Sequence, residues 1–200
     1  MNNMKNFSEQ SSRYEVRIAG SGGQGILLAG IILAEAALLD GNYVAQSQSY
    51  GPETRGGNST SDVVMSDAEI DYPRAMQLDM LVALTQMGCN RNLPQVKEGG
   101  LVIVDADLVE SVPWENVVSL PFSRTAREVG EARAINMAAL GAVAAFCPRI
   151  TRDSLVAMIS ERLPSSKLEA NLAAFDAILK HAPSLRVHIG PAAYGEEFEL

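Results

Sequence analysis

Two glycine-rich clusters hold the residue types best suited to gripping a ligand: GSGGQG at 20–25 and SYGPETRGG at 49–57. The first fits the pattern Gly-x-Gly-x-x-Gly. Gly20 ends an apolar strand, Gly22 and Gly23 let a ligand approach the backbone, and Gly25 lets the next helix sit close to the sheet. That helix start offers unpaired N–H groups and a partial positive charge to a phosphate. Ser21 and Gln24 fill the remaining positions of the loop. In the second cluster Arg55 stands between Gly51-Pro52 and Gly56-Gly57, with Glu53 and Thr54 beside it and Ser49 and Tyr50 before it. An arginine flanked by glycines suits a carboxylate or phosphate taken in bidentate fashion. The competing reading is a surface turn in which Arg55 pairs with Glu53.

Other chemistry has less to work with. Asp105 and Asp107 form Asp-x-Asp at a strand end, where both can point to one side and hold a cation; loop initiation and capping are the more ordinary roles. His181 and His188 are the only histidines. Both lie near the C-terminus, and His181 suits the negative end of a helix better than catalysis. Cys89 and Cys147 lack the spacing of a zinc site and are too few for an iron–sulfur cluster. Cys89, after QMG at an expected strand end, and Cys147, closing an apolar helix, read as buried thiols. Met76, Met80 and Met87 read as packing. No residue stands out as a catalytic acid or base, and no metal site is expected.

The glycine loop alone does not make a dinucleotide site. About 20 residues further on, an NAD site needs an acid at the end of strand two to hold the ribose hydroxyls. Here that region is YVAQSQSYG, without a carboxylate and without an arginine before Arg55. Three readings of the loop stay open: a bare structural turn, a site for another phosphorylated ligand, and a surface against a partner chain. NAD is the weakest candidate.

The elements that must position these loops alternate. YEVRIAG reads as strand one, residues 24–39 as a helix stopped by Gly41, GNYVAQSQ as strand two and STSDVVMS as strand three. LDMLVALT is an expected central parallel strand, CNRNLPQV a short helix, GGLVIVDADL a further strand and ENVVSLPF the last. From Ala126 the pattern is helical. Thr151 is the expected cap of one helix and Ser165 or Ser166 of the next. The fold class is α/β: a Rossmann-like open, mainly parallel sheet with a helical C-terminal third. Residues 1–13 are expected to be a disordered extension, 14–185 one α/β domain and 186–200 a tail.

Composition narrows the function classes. The chain has 200 residues, 47% of them hydrophobic, and a net charge of −8. No stretch concentrates Lys or Arg, which disfavours a nucleic-acid partner. The first dozen residues are polar and lack the apolar core of a secretory signal, so a frayed start in a reducing, cytoplasmic protein is expected. ILLAGIILAEAALL (26–39) and AINMAALGAVAAFC (134–147) are apolar almost all round. Each falls short of the roughly 20 residues that a spanning helix requires, and Glu35 and Asn136 sit badly in lipid, so no membrane is involved. Such helices pack either between a sheet and neighbouring helices or against another polypeptide. The second alternative favours an obligate subunit.

GSGGQGILLAG, SQSYGPETRGGNSTSDVVMS, DMLVALTQ, GGLVIVDADLV, INMAALGA and KLEANLAAFDAI together resemble the gamma subunit of 2-oxoacid:ferredoxin oxidoreductases over about residues 14–180. The SYGPETRGG form is most similar to the 2-oxoglutarate and branched-chain branches. The resemblance implies a subunit of a cytoplasmic complex that decarboxylates a 2-oxoacid oxidatively to an acyl-coenzyme A and CO2, passing electrons to ferredoxin. It implies alpha, beta and ferredoxin-like delta partner chains. Thiamine diphosphate, Mg and 4Fe–4S clusters would lie in those chains, with coenzyme A as co-substrate. It places Gly20, Gly22, Gly23, Gly25, Ser49, Tyr50, Gly51, Glu53, Arg55, Gly56 and Gly57 in loops facing a composite active site or a subunit boundary. Two readings compete: a self-sufficient NAD(P)-binding oxidoreductase and a non-catalytic homo-oligomeric binding module.

Overall fold

The structure, a computed structural model, describes residues 13–50 and 57–182 and the backbone of 188–189. Strands β1 (Tyr14–Ser21), β2 (Tyr43–Tyr50), β3 (Asn58–Ser66), β4 (Leu78–Ala83), β5 (Val96–Asp105), β6 (Asn116–Leu120) and β7 (His188–Ile189) form one sheet in the order β2-β3-β1-β4-β5-β6-β7. The β1/β4, β4/β5 and β5/β6 pairs are parallel, whereas β3 runs antiparallel to both β1 and β2, and β7 antiparallel to β6. Five strands therefore share one direction, giving the expected mainly parallel sheet. β3 is reversed because only residues 51–57 separate it from β2, too few for the crossover that a parallel neighbour requires. The two-residue β7 lies beyond ENVVSLPF, the last strand the sequence suggested.

Period-two alternation divides the core. Val16, Ile18, Val63, Met65, Met80, Val82 and Ile103 belong to one buried cluster, and Ala19, Leu81, Ala83, Val102 and Val104 to the other. The first face carries α1 (Ile26–Leu39), α3 (Phe122–Glu128), α4 (Ile135–Phe146), α5 (Arg152–Arg162) and α6 (Ser165–His181). On the second face sits α2 (Gln86–Asn92), against β1 and β4. Cys89 belongs to this helix, not to a strand end, and is fully buried.

The apolar helices are covered from within the chain. α1 lies on β1, β2 and β3 under α4 and α5, and its one charge, Glu35, pairs with Arg162 of α5. α4 is enclosed by α1, α3 and α6, so every residue from Ile135 to Val143 is buried. Close approach comes from small residues: a Cβ at Gly30 would collide with Ser61 Oγ, and one at Gly141 with the Phe175 carbonyl. Burial of these two helices thus needs no second polypeptide; only Leu38 and Leu39, at the end of α1, are exposed.

Capping follows the sequence at one helix and departs from it at another. Thr151 Oγ1 accepts from the Ser154 amide, as expected, and Asp40 at the end of α1 binds the Thr151 amide at 2.7 Å. Neither Ser165 nor Ser166 caps α6; Pro164 occupies the cap position, with no side-chain hydrogen bond, because its fixed φ already sets the entry geometry. Met80 is fully buried as packing requires, but Met76 and Met87 are 62% and 44% exposed. Both lie outside the strands whose alternation would have buried them.

Candidate functional site

The glycine loop joins β1 to α1. Gln24 N–H donates to the Ser21 carbonyl at 3.2 Å, and the Gln24 side chain folds back so that Oε1 accepts from Ser21 N–H at 2.7 Å. Gln24 Oε1 also fills the space that a Cβ on Gly20 would need. Gly22 N–H donates to the Gly57 carbonyl at 3.2 Å, which ties this loop to the end of the second one. Three loop amides are thereby satisfied within the chain. Those of Gly23, Gly25 and Ile26 find no acceptor among the described residues, at the positive end of α1.

Gly25 caps α1 with φ 72°, a left-handed conformation that other residues rarely adopt. A buried asparagine from α4 reaches it: Asn136 Nδ2 donates to the Gly25 carbonyl at 3.1 Å, while Asn136 Oδ1 accepts from Met137 N–H at 3.0 Å. A Cβ at Gly25 would strike that amide. Gly22 differs. It lies outside the left-handed region, is exposed, and has nothing among the described residues within 4 Å of where a Cβ would stand.

Antiparallel pairing brings the second cluster to the same end of the sheet. Ser21 is opposite Asn58, and Ser49 and Tyr50 at the end of β2 are opposite Thr60 and Ser59. Tyr50 is 60% exposed and Gly57 is buried. Gly51, Glu53, Thr54, Arg55 and Gly56 lie outside the described residues. Beside the loop, Asn58 Oδ1 is the one buried side-chain polar atom without a partner among the described residues. Unpaired buried acceptors are rare in folded proteins.

This pairing alters the comparison with a dinucleotide site. In that arrangement the strand beside β1 ends next to the glycine loop with the ribose-binding acid. Here β3 takes the place beside β1 and begins there, with Gly57 and Asn58, while β2 is one strand further out.

The remaining candidates have structural roles. Asp105 and Asp107 are not a paired cation site. Asp105 is fully buried and accepts from the amides of Asp107 and Ser123, both at 2.8 Å, so it initiates the loop and satisfies an amide in the first turn of α3, whose cap position is Pro121. Asp107 pairs with Arg124, whose hydrogen bond holds its carboxyl below the usual range. Burial pushes the Cys89 thiol up and that of Cys147 to about 11, so neither is a ready nucleophile at neutral pH. His181 is the last residue of α6, where a cation is favoured. Among the described residues no group of three or more His, Cys, Asp or Glu is placed to hold a metal, and no helix is long and apolar enough to cross a membrane.

Two features of this site escaped the sequence. Asn136 was visible only as a polar residue in an apolar run, and Asn58 carried no signal because its significance depends on strand pairing.

Comparison with known proteins identifies relatives of the whole fold. The family model described as pyruvate ferredoxin/flavodoxin oxidoreductase matches residues 15–180. The 2-oxoglutarate synthase subunit KorC of Methanocaldococcus jannaschii is 42% identical over 169 residues, covering 82% of this chain and 90% of that protein. The crystal structure of the keto/oxoacid ferredoxin oxidoreductase gamma subunit from Geobacter sulfurreducens superposes with a TM-score of 0.79 at 40% identity, over 86% of this chain and 97% of that one. The 2-oxoglutarate:ferredoxin oxidoreductase from Magnetococcus marinus, solved with 2-oxoglutarate, coenzyme A and succinyl-CoA bound, also gives 0.79, at 26% identity, over 88% of this chain and 32% of that longer one.

Proposed function

Because the chain belongs to the pyruvate ferredoxin/flavodoxin oxidoreductase family, we propose that it is the gamma subunit of a cytoplasmic 2-oxoglutarate:ferredoxin oxidoreductase. The complex cleaves the bond between the carboxylate and keto carbons of 2-oxoglutarate and releases CO2. The succinyl group passes to the thiol of coenzyme A, and two electrons pass to two oxidised ferredoxins. Two buried cysteines in separate elements do not fit an iron–sulfur cluster, so the electron carriers belong to companion chains. Alpha, beta and delta chains are those companions, and they hold thiamine diphosphate, Mg and the clusters. Residues 14–185 act as one domain that supplies a shaped surface and no catalytic acid or base.

One observation carries this reading: Gly22 of the glycine loop is tied to Gly57 at the end of the sheet where β2 also ends, and nothing among the described residues requires a glycine at position 22. A missing Cβ with open space around it suits a group approaching from outside, either a phosphate of coenzyme A on the free amides of Gly23, Gly25 and Ile26 or the backbone of a partner chain. Gly22→Ala in the assembled complex tests it. The isolated subunit should melt within about 1 kcal/mol of the parent. The complex should show a KM for coenzyme A raised about tenfold, or subunit affinity weakened to the same degree, equivalent to about 1.4 kcal/mol. Unaltered kinetics and assembly would remove the loop from the site.

A further inference from the structure

The opposite end of the sheet, where β1 and β4 begin, holds a loop fixed by charged groups. Residues 67–77, DAEIDYPRAMQ, join β3 to β4 without helix or strand. Arg13 nevertheless donates to the carbonyls of Tyr72 and Arg74 at 2.8 and 2.6 Å, and Glu15 Oε2 accepts from the amides of Met76 and Gln77 at 2.6 and 2.8 Å. Arg13 and Glu15 pair with each other at 2.5 Å. The Glu15 amide donates to Asp79, whose other oxygen receives Lys97 at 2.7 Å. Glu15 is 3% exposed. A carboxylate taken so far out of water is costly unless fully hydrogen-bonded, and here its bonds fix a loop instead of joining core elements.

What this clamp holds outward is apolar. Tyr72 is 51% and Met76 62% exposed, with Pro73 beside them. Tyr and Met are enriched where proteins meet, and a loop already fixed in shape loses little entropy on docking. The segment carries three carboxylates, Asp67, Glu69 and Asp71, against one Arg74. That acidic balance repels a nucleic acid. It also repels a second copy, because a two-fold contact would set the same carboxylates against each other.

We propose that residues 67–77 are a preformed docking surface for another subunit of the same oxidoreductase complex. That subunit presents an apolar pocket for Tyr72 and Met76, rimmed by Lys or Arg facing Glu69 and Asp71. The proposal rests on the chain being a subunit of such a complex, and it is independent of the glycine loop at the other end of the sheet.

The test reassembles the complex from this chain and its companion subunits and measures the subunit dissociation constant at several salt concentrations. The double variant Tyr72→Ala/Met76→Ala removes two exposed side chains, so the melting temperature of the isolated chain should stay unchanged while assembly weakens at least tenfold. Glu69→Lys/Asp71→Lys should also weaken assembly and flatten its salt dependence. Arg13→Gln should act in the same direction, with faster amide exchange at 76–77. A double variant that assembles as tightly as the parent overturns the proposal, as does one that alters only self-association of the isolated chain. If the parent chain does not assemble with those subunits at all, the subunit reading falls and this proposal with it.

Discussion

Asn136 is 3% exposed in a helix whose other residues are all apolar or glycine, and both ends of its side-chain amide are hydrogen-bonded. Removing it leaves the Gly25 carbonyl with one donor, the Ala29 amide, and opens a void behind the loop. Asn136→Ala should therefore lower stability by about 1–3 kcal/mol in urea unfolding. If the glycine loop works as proposed, the same variant should also raise the KM for coenzyme A, even where the complex stays folded. A variant with native stability would mean that the Gly25 contact contributes nothing. The presence of Asn136 in an apolar run was readable from sequence, but its partner lies 111 positions away and becomes visible only when α4 is placed against α1.

Between elements, α4 and α6 pack so closely that a Cβ on Gly141 would collide with the Phe175 carbonyl. Gly141→Ala should force these helices apart and cost about 1–3 kcal/mol in thermal unfolding. Little or no destabilisation would show that the pair can shift to admit a methyl group. The elements themselves were largely legible. The helix expected over 24–39 forms at Ile26–Leu39, and the runs at 59–66, 78–85 and 99–108 cover all but the first residue of β3, all of β4 and most of β5. The misses have local causes. Pro164 displaced the serine cap, and Cys89 joined a helix because Thr85 Oγ1 caps α2 by accepting from Gly88 N–H. The two apolar helices take the first of the two alternatives the sequence left open, packing within the chain, because hydrophobic periodicity cannot tell an internal helical neighbour from an external one. From the sequence both glycine-rich clusters fall at carboxyl ends of strands, and β1 and β2 do end there with Ser21 and Tyr50; the reversed β3 that lies between them was not anticipated.

Across the whole molecule, the thinly covered face of the sheet depends on a buried pair. Arg17 of β1 binds both carboxylate oxygens of Asp62 of β3 at 2.6 Å and reaches Asn92 and Gln95 at 3.0 and 2.7 Å, so α2 and the turn after it are fastened to two strands at once. Both charged residues are 8% exposed. Asp62→Ala would leave a buried guanidinium without its anion, a loss of about 3–5 kcal/mol, and should lower the melting temperature by on the order of 10 °C. A shift of only a degree or two would show that Asn92, Gln95 and water suffice. The reversed strand between β1 and β2 has a consequence for anyone wishing to retool this scaffold. Adjacent strands are about 4.8 Å apart, so the tip of β2 stands roughly 10 Å from β1. An acid grafted at Ser49 would occupy the right place in the chain and the wrong place in space. The order of the strands, and not the choice of residue at the end of β2, is thus what keeps a ribose-holding acid away from the glycine loop.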